Sequence, residues 1–178
     1  MSKFIPWNSQ SLESWSNQYA EGKIVQLNGL QTHYLDIGQD KTEKAPLILL
    51  HGFFYDTSMW SQNFDALTEH FKVYALDLWG FGYSAREPLD YGYPLFAEQI
   101  QLFMQMLGIS KASFLGHGMG AGAAIQFASE HPSQVEQLIL ADAFGLPNLA
   151  PLYSRIIDIP FIGPMMLGMN NFSMRKKI

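Results

Sequence analysis

The sequence of 178 residues contains no cysteine. Disulfides, thiolate nucleophiles and cysteine-ligated zinc sites are therefore excluded. Positive charge is also scarce, because 11 Lys and Arg residues stand against 16 Asp and Glu residues, which gives a net charge of −5. Since phosphate binding requires clustered basic side chains, we expect no nucleic-acid partner.

Long apolar runs are the second absence. No stretch reaches the ~18 apolar residues that a membrane span requires, and the N-terminus lacks the continuous apolar core of a secretory signal. We therefore expect a soluble, cytoplasmic protein with no membrane span. Apolar residues are nevertheless abundant at 48% of the chain, which is typical of a globular domain with a substantial core.

Apolar strands alternate with helical patterns along most of the chain. The runs PLILL, KVYALDL, ASFLG and VEQLILAD predict buried strands. The segments between them predict helices, one capped by Ser58, one with Pro94 in its first turn and one over Met119–Glu130. This alternation predicts an α/β fold, with a mostly parallel sheet and helices on both faces.

The two ends of the chain have a different character. Near the N-terminus, Asn28-Gly29 predicts the tight turn of a β-hairpin between Lys23 and Gly38. After Phe144 the chain becomes rich in proline and methionine. We therefore expect a core over residues 1–144 and the start of a cap or lid over residues 145–178. An irregular tail that packs on the core is the alternative for the last segment.

The motif G-H-G-M-G, residues 116–120, lies where a predicted strand meets a predicted helix. This is the context of a nucleophile elbow, in which small residues allow a sharp turn and the N–H after the central residue points at a bound oxyanion. Phosphate-binding loops look similar. However, this motif follows a late strand and lacks a Gly-Lys-Ser/Thr sequence, so a nucleotide is disfavoured. We expect no cofactor and no metal.

Further motifs flank this one in a characteristic order. They are LLHGFFYDTSMW, ALDLWGFGYS and, after the glycine motif, VEQLILADAFG. Together they resemble the α/β-hydrolase family from about Lys23 to Phe144, with the serine-type branch the nearest match. The expected fold is therefore an α/β-hydrolase fold that lacks the C-terminal strands.

The resemblance implies roles for individual residues. It implies an oxyanion hole made by the backbone N–H groups of Phe53 and Met119, with Gly118 at the nucleophile position. It also implies that His51 positions its loop and that the turn from Asp77 to Ser84 supports the site. The implied substrate pocket contains His51, Gly52, Phe54 and Asp142.

Two features depart from the family pattern. Relatives usually carry Ser at the position of Gly118, sometimes Asp or Cys, and glycine cannot form a covalent intermediate. The family's catalytic His comes late in the chain, whereas the histidines here fit a packing or surface role, and we expect His117 to point away from the site. Asp142 matches the catalytic acid of some relatives and a non-catalytic Asp of others, and both interpretations stay open.

The last predicted strand, LILA, would leave an exposed apolar edge. We therefore expect a fragment of a longer gene product, a second chain that completes the sheet, or self-association through this edge. The resemblance implies ancestral hydrolysis of an ester or a related apolar acyl or aryl substrate, impaired in this chain. The alternatives are a non-catalytic ligand-binding or self-associating protein on a hydrolase scaffold, and a non-functional half-domain.

Overall fold

A computed structural model of the protein describes residues 10–39 and 45–143. The expected cap or lid, residues 145–178, lies outside the described residues. The elements in chain order are α1 (Leu12–Tyr19), β1 (Lys23–Leu27), β2 (Leu30–Ile37), β3 (Leu47–Leu50), a 3₁₀ helix (Thr57–Asn63), α2 (Phe64–Thr68), β4 (Val73–Leu76), α3 (Tyr93–Leu107), β5 (Ala112–His117), α4 (Met119–Glu130), a short 3₁₀ helix (Pro132–Gln134) and β6 (Val135–Ala141).

The strands form one mixed sheet in the order β1-β2-β4-β3-β5-β6. The first two pairings are antiparallel, and the pairings among β4, β3, β5 and β6 are parallel. The carboxyl ends of the four parallel strands therefore meet at one edge of the sheet, where loops form ligand sites in α/β folds. The predicted α/β fold with a mostly parallel sheet is confirmed.

Helices cover both faces of the sheet. On one face, α3 and α4 pack over β3, β4 and β5 through large side chains such as Phe96, Phe103 and Phe127. On the other face, Trp60 and α2 pack over Leu47, Leu49 and neighbouring residues of β4. All four residues of β3 are buried because the strand is covered on both sides, which explains its continuous apolar sequence.

Local sequence signals specify the hairpin but not every helix start. Asn28 and Gly29 have φ values of 50° and 80°, as a tight turn between β1 and β2 requires. The expected cap at Ser58 is wrong, because the carboxylate of Asp56 accepts a hydrogen bond from the Ser58 N–H at 2.8 Å and the 3₁₀ helix begins at Thr57. Helix α1, which we did not predict, is capped by Ser11.

The junction of β5 and α4 is packed so closely that two glycines have no room for a side chain. A Cβ added at Gly116 would lie 2.6 Å from the backbone N and Cα of Ala121. A Cβ added at Gly120 would meet the carbonyl of Leu50 and would lie 2.6 Å from the carbonyl oxygen of His51. Because these neighbours are backbone atoms, they cannot move aside as a flexible side chain would.

We therefore predict that Gly116→Ala lowers the free energy of unfolding by about 3 kcal/mol or more, through overpacking against the α4 backbone. Gly108→Ala is the matched control, since Gly108 has φ +69° but no atom within 4 Å of an added Cβ. The control should lose only about 1–2 kcal/mol, from the left-handed backbone. Urea unfolding measures both, and equal losses would contradict the steric explanation.

Candidate functional site

The candidate site lies at the carboxyl edge of the parallel strands. Leu50 of β3 is in register with Gly116 of β5, so the loops that follow these two strands are adjacent. Gly120 packs against the backbone of Leu50 and His51, which holds the start of α4 beside the loop after β3. The structure therefore brings together the two motifs that the sequence places more than 60 residues apart.

Gly118 forms the turn between strand and helix by itself. Strand β5 ends at His117 and α4 begins at Met119, with Gly118 at φ 54° and ψ −111°. Its N–H donates to the carbonyl of Ala141 at 2.9 Å, and its carbonyl accepts from the Gly122 N–H at 3.3 Å. Glycine adopts this backbone without strain, whereas a side chain at position 118 would be held in a rarely populated region.

Two backbone N–H groups at this junction lack an acceptor within residues 10–39 and 45–143. Met119 is the first residue of α4, and its N–H has no hydrogen-bond partner in that part of the chain. The N–H of Phe53, in the loop after β3, has none there either. The N-terminus of α4 adds the partial positive charge of its helix dipole, so this junction favours a negatively charged or carbonyl oxygen.

His51 is locked in one neutral tautomer. Its buried ring accepts the Leu78 N–H at Nε2 at 3.0 Å, and its Nδ1–H donates to the carbonyl of Gly52 at 2.9 Å. Burial lowers the pKa of His51, because the charged form would lose its hydration. Since both ring nitrogens are occupied, His51 cannot act as a base and instead fixes the orientation of the loop.

The rim of the site is aromatic. Phe53, Phe54 and Tyr55 each expose about half of their surface, with fractions of 45%, 56% and 53%. The ring of Phe53 lies 4.4 Å from that of Phe54 and 5.5 Å from that of Phe81. Phe54 has φ +68°, an uncommon backbone for a bulky residue. This rim suits an apolar ligand.

His117 does not point away from the site, contrary to expectation. Its ring fills the space where a side chain of Gly52 would stand, and it meets the Tyr55 ring edge-on at 6.1 Å. Its Nδ1 is buried with no hydrogen-bond partner among the described residues, and its Nε2 is 3.6 Å from a carboxylate oxygen of Asp142. Successive side chains of a strand alternate between its two faces, which places His117 on the face that α2 covers. On that face the side chain points towards the loop after β3 and not away from it.

Asp142 follows β6 at the same edge of the sheet. Its side chain is 90% exposed and its backbone has φ +47°. Of the expected pocket residues, His51, Gly52 and Phe54 lie together in the loop after β3. Asp142 lies near this loop through the contact of its carboxylate with His117.

The turn after β4 surrounds one buried carboxylate. Asp77 accepts hydrogen bonds from the Thr57 N–H at 2.7 Å and the Tyr83 N–H at 2.9 Å, and it pairs with His33 at 2.7 Å. Gly82 lacks a side chain because the Asp77 carboxylate occupies that space. Burial acts to raise the pKa of Asp77, but the hydrogen bond and charge of His33 outweigh it and hold that pKa below its usual range. Nothing in the sequence pattern identified His33 as this partner.

Neither a metal-binding cluster nor a membrane-spanning helix occurs among the described residues. No group of three or more His, Asp or Glu side chains there is arranged to hold a metal ion. None of the helices in that part of the chain has the length and apolar character needed to cross a bilayer.

Comparison with known proteins gives a consistent result. A family model described as the alpha/beta hydrolase fold matches residues 45–166. The pig protein named 1-acylglycerol-3-phosphate O-acyltransferase ABHD5 (Sus scrofa) is 34% identical over 146 residues, which covers 80% of this chain and 42% of the relative. The human protein of that name (Homo sapiens) is 35% identical over 75% of this chain and 39% of its own length. The chain thus spans about two fifths of these relatives.

Solved structures agree with the sequence relatives. A bacterial membrane phospholipase A is 35% identical, with a TM-score of 0.66 over 70% of this chain and 40% of its own. The enol-lactonase from Burkholderia xenovorans LB400 is 27% identical, with a TM-score of 0.61 over 64% of this chain and 44% of its own. Since the family model matches well over half of the residues and these structures share the strand-to-helix architecture, the chain belongs to the α/β-hydrolase family.

Proposed function

We propose that this chain is a non-catalytic, ligand-binding member of the family, derived from an ester hydrolase whose nucleophile has been replaced. In this proposal the N–H groups of Phe53 and Met119 bind the carbonyl or carboxylate oxygen of a small apolar ligand. The observation that carries the proposal is Gly118, which stands alone at the turn between β5 and α4 and has no side chain. An elbow without a nucleophile keeps its oxygen-binding donors and loses covalent catalysis.

The positions of the histidines support the absence of catalysis. His33 and His51 are engaged through both ring nitrogens. His70 and His131 follow the C-termini of α2 and α4, at the opposite edge of the sheet from Gly118. His117 is buried at Nδ1 against Gly52 and faces Asp142 through Nε2. These are all five histidines of the sequence, and in this proposal none of them activates a residue at position 118.

The surroundings of the site support an apolar acyl or aryl ligand. Phe53, Phe54 and Tyr55 provide an apolar rim next to the two N–H donors. The relatives are named as an acyltransferase, a phospholipase A and an enol-lactonase, and those names all denote chemistry at an acyl carbonyl. A medium-chain carboxylate such as octanoate combines an apolar tail with an anionic oxygen, and it is the probe that we would use.

Restoring a hydroxyl should not restore an enzyme. We predict that Gly118→Ser hydrolyses p-nitrophenyl octanoate no more than about 10-fold faster than the unmodified chain, because general-base activation normally contributes about 10²–10⁴-fold and the proposal assigns that role to none of the histidines. Gly118→Ala is the matched control, and both variants should lose about 1–3 kcal/mol of stability from the strained backbone. Steady-state release of p-nitrophenol is the measurement. Rapid turnover by the unmodified chain or by the serine variant would refute the proposal.

Removing one N–H donor should weaken ligand binding. Met119→Pro deletes that N–H at the first position of α4, where proline fits a helix, and Gly118 lacks the Cβ that crowds a following proline. We expect about a 10-fold rise in the Kd for octanoate, the value of one hydrogen bond to a charged group. Met119→Ala keeps the N–H and serves as the control, with a Kd within about 3-fold of the original. Calorimetric titration measures both, and equal Kd values would place the ligand elsewhere.

A second candidate function, self-association, is favoured by β6, which is the outermost strand of the sheet within residues 10–39 and 45–143. This strand pairs on one side with β5, and its Ile139 and Leu140 are 45% and 41% exposed. Its sequence VEQLILA carries one charge, so little opposes pairing with another strand.

The opposite edge of the sheet offers a matched test of this association. Ile24 on β1 is 38% exposed, similar to Ile139 at 45%. We predict that Ile139→Lys lowers the association constant at least about 10-fold, because a lysine blocks strand pairing, while Ile24→Lys leaves it unchanged. Sedimentation velocity over a range of concentrations is the measurement. A chain that is monomeric throughout, or equal effects of the two variants, would rule out association through β6.

A further inference from the structure

Both ring nitrogens of His33 face hydrogen-bond acceptors. Nδ1 lies 2.7 Å from a carboxylate oxygen of Asp77, and Nε2 contacts the main-chain carbonyl of Glu21. A carbonyl oxygen can only accept, and an ionised carboxylate can only accept as well. A neutral imidazole carries one N–H, so it would leave a nitrogen lone pair against one of these oxygens. The two contacts are satisfied together only when the ring carries a proton on each nitrogen.

The ring is enclosed on every side. His33 is 2% exposed, and a Cβ added at Gly22 would lie 3.3 Å from its Nε2, so the main chain between α1 and β1 lies directly over the ring. The Tyr83 ring meets it edge-on at 5.4 Å, and the backbone N–H of His33 donates to Ser84 Oγ at 3.0 Å. A charged ring in such a place requires a compensating charge, and the Asp77 carboxylate provides it.

Asp77 connects this ring to the candidate site. Its second carboxylate oxygen accepts the N–H of Thr57, which follows directly on the aromatic loop that begins at Phe53. The next residue after Asp77, Leu78, donates its N–H to His51, which in turn holds the carbonyl of Gly52. Hydrogen bonds through Asp77, together with its peptide link to Leu78, thus connect the segment before β1 to the loop that contains the Phe53 N–H.

We infer that His33 is a buried imidazolium that acts as a positioning residue, tying the Glu21–Gly22 segment to Asp77 and thereby holding the Phe53–Thr57 loop in its binding geometry. When the ring loses a proton, its remaining N–H stays with the carboxylate and its bare Nε2 faces the Glu21 carbonyl. The segment over the ring then separates from it, and Asp77 becomes a buried anion without a counter-charge. Only the expected effect of His33 on ligand binding depends on the proposed function.

The charges around His33 agree with this assignment. Burial acts to lower the pKa of His33, but the hydrogen bond and charge of Asp77, the Glu21 carbonyl and the more distant Asp56 outweigh it and raise that pKa above its ordinary value. A raised pKa means that the contribution of His33 to stability is complete below its unfolded value of about 6.5 and is lost as the pH rises through the folded value. The lowered pKa of Asp77 adds stability above about pH 3.9 that is lost on acidification.

Nitrogen-15 NMR of histidine-labelled protein tests the assignment directly. At about pH 7, where a free imidazole is mostly neutral, we expect both nitrogens of His33 to show the shifts of an imidazolium. His51 is an internal control in the same spectrum and should show a single neutral tautomer. As the pH is raised, the Gly22 and Thr57 amides should shift with the same midpoint as the His33 ring. A His33 ring with one proton at about pH 7, or a Thr57 amide that does not follow the ring, would overturn the proposal.

Two substitutions sharpen the test. Asp77→Asn removes the counter-charge, so the His33 midpoint should fall by about 1–3 pH units. His33→Gln removes the titrating group while keeping a donor, so the Thr57 amide should lose its pH dependence above about pH 6. An unchanged midpoint in the first variant or a retained titration in the second would contradict the inference. If either variant fails to fold, the titration of the unmodified chain still tests whether His33 is an imidazolium.

Octanoate binding at two pH values separates this inference from the proposed function. The ligand stays ionised throughout, so its own charge does not change. Above the His33 midpoint we expect the Kd for octanoate to rise at least about 3-fold in the unmodified chain, because the loop loses its fixed geometry, and to stay constant in His33→Gln. A pH-independent Kd in the unmodified chain would overturn the positioning role. No binding at either pH would refute the proposed function, while the NMR titration would still decide the state of His33.

Discussion

The close contact between α4 and the ends of β3 and β5 is the constraint on which the rest of the site depends. Gly116 and Gly120 allow it, because backbone atoms occupy the space that their side chains would need. This contact puts the first N–H of α4 beside the loop after β3, so two distant parts of the sequence converge on one point. The strand and the helix are joined by one residue, Gly118, and glycine adopts its positive φ of 54° without strain.

A second constraint is electrostatic and concerns the loop on the other side of the site. The turn after β4 has no regular structure of its own, and the buried carboxylate of Asp77 organises it by accepting N–H groups from two directions. Burial of a carboxylate costs free energy unless the group is fully hydrogen-bonded and paired, and His33 provides the pairing for Asp77. The carboxylate also occupies the space that a side chain at Gly82 would need. The steric contact fixes the turn at Gly118, and the buried ion pair fixes the loop that faces it.

Much of this architecture could be predicted from the sequence because it depends on local pattern. The continuous apolar run of β3, the Asn-Gly turn and the glycine-rich start of α4 each reflect a local requirement of the backbone. The ion pair of His33 and Asp77 joins residues 44 positions apart, and no local pattern marks either as a partner. The sequence pattern does not predict helix α1 because few of its residues are apolar. The predicted cap at Ser58 differs from the observed cap at Asp56 because two residues that can cap a helix stand two positions apart.

Oxygen binding by backbone N–H groups and covalent catalysis by a side chain have different structural requirements, and the proposed function depends on that difference at Gly118. The backbone N–H groups of Phe53 and Met119 are brought together by Gly116 and Gly120, which let the start of α4 approach the ends of β3 and β5. A side chain at position 118 would add backbone strain, because the residue there has φ 54° and ψ −111°. In the proposed function, replacement of a nucleophile at this position by glycine would remove that strain and leave the two backbone N–H groups in place. Backbone N–H donors do not depend on the identity of the side chain at the turn, so on this proposal one substitution would remove covalent chemistry while the oxygen-binding groups stay preorganised.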